Sequence, residues 1–311
     1  MIEAGLITAR FLHFAAVMAL FGLALFPHYS YPASGNPPLA RLSHWLRASL
    51  WCAAFLALAS ALAWGWFSIA AMTGTMTAAG ADSLLMVLRE TSFGQVWVAR
   101  LALLAGLLTL MRRRSNAQPT DWTIMLLAAL ILGSLALVGH TQTSDGLLGL
   151  VHMTADGAHL LAAGAWSGGL LALAYLLTLA RRCPSAEHTA HAVATLTRFS
   201  AVGYAAVATL IGSGLVNAWV LVGSPERLFT TPYGQLLLVK MCLLGGMLAL
   251  AAQNRIRLVP ALQKWKRGSM PAEAPLRTVR RNVLIEQALA LVIVLIVGWL
   301  GTLQPAVAAS D

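Results

Sequence analysis

The sequence predicts an all-α, polytopic membrane protein built as a bundle of eight transmembrane helices. Of its 311 residues, 59% are hydrophobic and only 10% are charged, whereas soluble domains carry about 25% charged residues. The mean hydropathy of +0.74 fits a chain that lies mostly in lipid. A helix needs about 20 apolar residues to cross ~30 Å of hydrocarbon. Eight apolar runs meet that length, at residues 5–27, 44–70, 93–111, 121–141, 150–180, 196–222, 232–253 and 281–303.

The basic residues orient these helices. They cluster in alternate loops, near Arg41 and Arg47, at residues 112–114, at residues 181–182 and at residues 255–281. Because short basic loops stay in the cytoplasm, this pattern predicts that both termini lie outside. The same pattern accounts for the net charge of +10, so we expect no nucleic-acid partner. The sequence lacks the GxxxxGK[ST] motif, and we therefore expect no nucleotide partner either.

Similar segments recur in the two halves of the chain. Residues 91–95 read TSFGQ and residues 231–235 read TPYGQ, and a cation follows each glycine by six positions, at Arg100 and Lys240. The segment that ends at His13 also loosely matches the one that ends at His159. We therefore expect one integral membrane domain made of two four-helix halves, residues 1–142 and 143–311. With four helices each, the halves share one orientation about an axis along the membrane normal. The alternative is chance similarity between apolar helices.

The candidate site lies where the fourth predicted helix ends and the fifth begins. His140 closes the fourth run, and His152, Asp156 and His159 follow at the start of the fifth. The spacing i, i+4, i+7 places the last three side chains on one face of a helix. Ionisable groups inside a membrane are costly and usually functional, so this face is predicted to bind a ligand. For His140 alone, a hydrogen-bonded histidine within the bundle is the simpler interpretation.

The second half resembles the copper-resistance protein D family (CopD, PcoD and YcnJ-type membrane domains). The resemblance covers residues 139–306 well and the first half loosely. It is carried by several motifs in order: Arg198-Phe199-Ser200, Ser213-Gly214-Leu215-Val216-Asn217, Thr231-Pro232-Tyr233-Gly234, Asn254-Arg255 and Gly301-Thr302-Leu303-Gln304-Pro305, together with the residues around His152, Asp156, His159 and Trp166. The resemblance implies periplasmic copper handling in a bacterial inner membrane, with copper moved across it and a periplasmic copper carrier as partner.

With copper as the expected ligand, the histidines predict a ladder of two sites. His13 and His159 lie at similar depths, about 12 and 15 Å inside the starts of their helices, and form the predicted inner site. His140 and His152 form the predicted outer site. Asp156 lies one helical turn from His152 and one from His159. Imidazole and carboxylate suit Cu(II), whereas thioethers suit Cu(I). The methionines predicted near the outer face are possible further ligands: Met72, Met76 and Met153.

Two further cations are predicted within the membrane. Arg100 and Lys240 lie about 10–12 Å from the outer face, at a depth comparable to that of Asp156. A buried cation needs a partner, and Asp156 is the nearest candidate anion. Snorkelling of both side chains to the interface is the alternative.

From the resemblance we expect a copper transporter or permease, not an enzyme, that takes copper from the periplasmic side, with both termini periplasmic. The sequence is also compatible with two alternatives. Facing intramembrane histidines also ligate haem, and Arg100 and Lys240 would then hold its propionates, as in a b-type membrane cytochrome. The second alternative is a copper sensor or partner subunit that does not transport.

Overall fold

The structure is a computed structural model, and it describes residues 1–31, 39–74, 81–114, 121–139, 146–266 and 273–308. Throughout these ranges the regular structure is helical. In chain order the helices are α1 (Ile2–Ser30), α2 (Ala40–Thr73), α3 (Ala81–Glu90), α4 (Ser92–Arg113), α5 (Trp122–Gly133), α6 (Gly146–Arg182), α7 (Ala186–Val222), α8 (Arg227–Thr230), α9 (Pro232–Gln253), α10 (Val259–Lys266) and α11 (Glu273–Leu300). A 3₁₀ turn (Ser134–Leu137) extends α5, and a π turn (Asn254–Leu258) joins α9 to α10.

Seven of these helical segments are long and apolar enough to cross a membrane. They correspond to seven of the eight predicted runs. The exception is the predicted span 121–141, where α5 and its 3₁₀ turn form a shorter apolar helix, Trp122–Leu137. At about 1.5 Å per residue this segment is shorter than the ~30 Å hydrocarbon layer.

The two most buried of these long helices, α1 and α6, pack against each other. In its most apolar window α1 is 67% buried and α6 is 61% buried, compared with 6% for Pro232–Lys264. Around this central pair, α2 and α5 pack on α1, α7 packs on α6, and α11 contacts both central helices. The segment Pro232–Lys264 therefore lies at the edge of the bundle, with α9 packed mainly on α11.

The helices that carry Arg100 and Lys240 begin with the same set of contacts. The hydroxyl of Thr91 accepts a hydrogen bond from the Gly94 amide (3.0 Å), and that of Thr231 accepts one from the Gly234 amide (3.1 Å). Each threonine side chain thereby caps its helix. A Cβ on Gly94 or on Gly234 would overlap a carbonyl oxygen of the short helix that precedes it. Only glycine fits at these two positions.

Candidate metal site

The predicted face of α6 opens into a cavity of about 380 Å³. His152, Asp156 and His159 all line it, together with residues of α1, α7, α9 and α11. The rest of the cavity wall is mainly apolar, apart from Arg10 of α1 and Lys240 of α9. The placement agrees with the helical spacing from which this face was predicted.

Asp156 and His159 are both held by α7. The Asn217 amide donates a hydrogen bond to Asp156 Oδ1 at 3.1 Å. His159 Nδ1 lies 3.0 Å from Ser213 Oγ, whose hydroxyl donates to the Thr209 carbonyl oxygen at 2.5 Å. Because that serine proton is already used, Ser213 Oγ acts as the acceptor and His159 Nδ1 carries the proton. This tautomer leaves Nε2 of His159 as the lone-pair nitrogen that a metal would bind.

His152 has an unused ring nitrogen. The residue is 1% exposed, and its Nδ1 atom has no hydrogen-bond partner among the described residues. An unsatisfied buried nitrogen is costly, because the free energy of hydration is lost without a replacement bond. With Asp156 one helical turn away, His152 supplies a nitrogen donor next to an oxygen donor, a donor set that suits a divalent transition metal.

The structure does not bring His13 into this cavity. His13 is fully buried, with Nδ1 3.0 Å from the Ala57 carbonyl oxygen and 3.1 Å from Ser60 Oγ, both on α2. Its ring also packs on Trp64, with 5.5 Å between the ring centroids. His159 turns to α7 and His13 turns to α2, so the predicted inner pair faces two different neighbours.

The two predicted cationic partners of Asp156, Arg100 and Lys240, lie in different surroundings. Lys240 lines the cavity with Asp156, although no ion pair within 4.0 Å joins them. Arg100 turns elsewhere: its Nε donates to Ser134 Oγ at 2.9 Å and its Nη2 to the Ser134 carbonyl oxygen at 3.0 Å. Of the two predicted partners, Lys240 therefore shares the cavity with Asp156 and Arg100 does not.

The remaining predicted ligands lie away from the cavity wall or outside the described residues. Met72 is 56% exposed at the end of α2, and Met153 is half-buried but does not line the cavity. His140 and Met76 fall outside the described residues. Within the described ranges, no group of three or more His, Cys, Asp or Glu side chains is close enough to hold one metal ion.

Several cavity residues were not predicted from the sequence. The thioethers at the cavity come from Met18, Met241 and Met247, and the charged wall includes Arg10 of α1. Arg10 occupies the place in its helix that Asp156 occupies in α6, three residues before a histidine. This equivalence between Arg10 and Asp156 was the one feature of the sequence that could have predicted Arg10 at the cavity. The methionines lie on helices that are apolar on all sides, so nothing in the sequence marked them.

The fold and the site define a class, a polytopic helical membrane protein with histidine and carboxylate donors inside its bundle. Two sequence profiles match the chain: "Copper resistance protein D-like, N-terminal domain" over residues 1–150 and "Copper resistance protein D" over residues 193–300. The chain belongs to the copper resistance protein D family. No solved structure matches it.

Three curated relatives are similar to this chain. The inner membrane protein YebZ of Escherichia coli K12 is 31% identical over 96% of this chain and 98% of its own length. Copper resistance protein D of Pseudomonas syringae pv. tomato is 31% identical, with 96% of each chain covered. The copper transport protein CutJ of Bacillus subtilis 168 is 33% identical over 52% of this chain and 30% of its own length.

Proposed function

We propose that this protein is a bacterial inner-membrane copper transporter that takes copper from the periplasmic side through the cavity beside α6. The observation that carries the proposal is the row of His152, Asp156 and His159 along the cavity wall. Copper is the cargo that the family and its named relatives suggest. The donor set on the wall matches copper's preference for imidazole and carboxylate ligands.

The proposed orientation puts both termini in the periplasm. The basic loops then face the cytoplasm, as the positive-inside rule requires. In this orientation His152, near the start of α6, lies nearer the periplasm than His159. We further propose that Trp122–Leu137 crosses the membrane as an eighth, shorter span, since an even number of spans returns the chain to the side on which it began.

We also propose that the bundle is two same-orientation repeats of four helices. Matching contacts support this: His13 meets Ser60 as His159 meets Ser213, and Thr91 caps α4 as Thr231 caps α9. Each matching pair occupies the same place in the order of helices within its half.

Copper would pass the cavity wall in two steps. His152 and Asp156 form the outer step, with His140 as the predicted additional ligand. His159 forms the inner step, seven residues and about 10 Å further along the helix axis. Because that separation exceeds the span of one coordination shell, the two histidines act in sequence. The buried thioethers of Met18 and Met247 are softer donors on the same cavity wall.

Haem b is the less favoured cofactor, because a bis-histidine haem needs two imidazoles that face each other across one pocket. His159 lines the cavity, but His13 turns away from it to α2. Copper needs no such opposed pair. A copper sensor or partner subunit would share the binding site and differ in lacking transport.

The test is metal analysis and an absorption spectrum of the purified protein after copper loading. We expect bound copper and no Soret band. His159→Ala should lower the copper content, whereas His44→Ala, which removes an exposed histidine on α2, should leave it unchanged. A Soret band without bound copper would show that the protein binds haem and would contradict the copper proposal. Equal copper content in the native protein, His159→Ala and His44→Ala would show that the metal binds outside the cavity.

A further inference from the structure

The cavity and the residues behind it contain more buried positive charge than negative charge. Arg10 and Lys240 line the cavity, and Asp156 is the carboxylate beside them. Arg100 lies behind the wall and is 1% exposed. The ion pairs of the described residues are Arg114–Asp121 and Arg277–Glu273, so neither Arg10 nor Arg100 is paired with a carboxylate there.

Trp64 joins the two arginines. The guanidinium carbon of Arg10 lies 5.1 Å from the Trp64 ring centroid, and that of Arg100 lies 5.2 Å from it. The π-face of an indole attracts cations, but it offers only partial negative charge. The two cations are therefore at most about 10 Å apart, and among the described residues neither forms an ion pair with a carboxylate.

Each arginine also has an N–H group left over. Arg10 Nε and Arg100 Nη1 are buried without a hydrogen-bond partner among the described residues. The Nε and Nη2 atoms of Arg100 donate to Ser134. Unused guanidinium donors inside a membrane protein are costly, and an anion would satisfy both the charge and the hydrogen bonds.

The same local scaffold appears in the other half with the charge reversed. Asp156 lies three residues before His159, and His159 contacts Ser213 of α7. Asn217, four residues after Ser213, donates a hydrogen bond to the Asp156 carboxylate. His13 is preceded by Arg10 and contacts Ser60. Four residues after Ser60 stands Trp64, which holds the guanidinium. One version of the scaffold presents a carboxylate to the cavity, and the other presents a guanidinium.

We propose that Arg10 marks an anion site in the cavity wall and that this site binds a monovalent halide. The surroundings supply N–H donors from the arginines and a mainly apolar wall, with few polar groups to replace the hydration shell of a multivalent anion. A halide loses less hydration free energy on entering such a site than phosphate does. Bound there, it would balance the charge of the arginine pair, whether or not copper occupies the α6 face.

Gly301 provides the room that Arg10 needs. A Cβ on Gly301 would overlap Arg10 Nη2, so the guanidinium lies directly against the backbone at this point. Alanine at position 301 would therefore push the guanidinium out of its place while keeping its charge. This gives a second variant that disturbs the site without removing the arginine.

The experiment is thermal unfolding of the full-length, metal-free protein in detergent. Sodium bromide replaces sodium gluconate at constant ionic strength, in the presence of a chelator. A ligand that binds only the folded state raises the unfolding temperature, and above its Kd the rise grows with the logarithm of the ligand concentration. We expect this rise for the native protein, its loss in Arg10→Gln, and a curve displaced to at least tenfold higher bromide concentration in Gly301→Ala.

The control is Arg89→Gln, which removes an exposed arginine at the end of α3 and should keep the native response. Arg10→Lys covers the case in which Arg10→Gln does not fold, and it should bind bromide at least tenfold more weakly because the guanidinium fork is lost. A flat response of the native protein would overturn the proposal. So would a native response in Gly301→Ala and Arg10→Lys. Copper is absent throughout, so the result is independent of the transport proposal.

Discussion

Gly22 on α1 and Gly168 on α6 pack backbone against backbone where the two central helices cross. A Cβ on Gly22 would lie 2.5 Å from the Cα atom of Gly168, and a Cβ on Gly168 would lie 2.7 Å from that of Gly22. Each glycine follows a histidine of its own helix by the same interval, His13 in α1 and His159 in α6. The crossing therefore holds both histidines at one height, about 13 Å from it along each axis.

The first prediction concerns this crossing. Gly168→Leu should wedge α1 and α6 apart, because its side chain would meet backbone atoms that cannot move aside. Overpacking of this kind costs about 1–3 kcal/mol. Thermal unfolding in detergent measures the loss. Gly106→Leu, at a helical glycine with nothing within 4 Å of its Cβ position, is the control. Equal stability of the two variants would show that the helices do not depend on this contact.

Hydropathy predicted how deep each histidine lies but not which way it points. The depths of His13 and His159 followed from counting residues along each helix. The direction of His13 did not, because α1 is apolar on nearly every side and its rotation is set by packing. In the structure Ser60 and the Ala57 carbonyl oxygen hold His13 on α2. Similar depth was therefore not enough to predict that His13 and His159 face each other.

The face of α6 was easier to predict, because three ionisable residues at i, i+4 and i+7 share one side of any helix. The partners across the cavity were harder, since they come from distant parts of the chain. Asn217 belongs to a segment that the family resemblance had already singled out. Met18 and Met247 belong to none, and only the packing of α1 and α9 around the cavity brings them to its wall.

The second prediction concerns the charge beside Asp156. Asp156→Asn should lower thermal stability as well as copper binding, because Lys240 would then share the cavity with no adjacent carboxylate. Lys240→Met in the same background should recover part of the loss, with a coupling free energy of about 0.5–3 kcal/mol. The control is Glu90→Gln, an exposed carboxylate at the end of α3. Unchanged stability in Asp156→Asn would show that Asp156 does not neutralise the charge of Lys240.

The third prediction compares the two helix caps. Thr91→Ala and Thr231→Ala should each cost about 1 kcal/mol of stability, since each removes the hydroxyl that accepts from the glycine amide. Serine at either position should retain most of this stability, because its hydroxyl can also accept the hydrogen bond. Thr109→Ala removes a mid-helix hydroxyl that donates to the Ala105 carbonyl oxygen, and serves as the control. A cost at one cap and none at the other would contradict equivalent roles in two repeats.

The fourth prediction concerns orientation. A reporter that is active only in the cytoplasm should work when fused after Arg114 or after Arg267, because those loops carry the positive charge. A periplasmic reporter at the same positions should be inactive. The reverse pattern would place the histidine end of α6 at the cytoplasm and turn the proposed uptake into export.

The most direct test of the transport proposal is copper uptake by proteoliposomes, measured together with copper stoichiometry. His152→Ala should weaken capture and leave a residual deeper site. His159→Ala should keep outer binding and abolish uptake, because the inner step loses its imidazole. His44→Ala should transport normally. The proposal is contradicted if His159→Ala transports copper at the native rate, since the cargo would then bypass the cavity wall of α6.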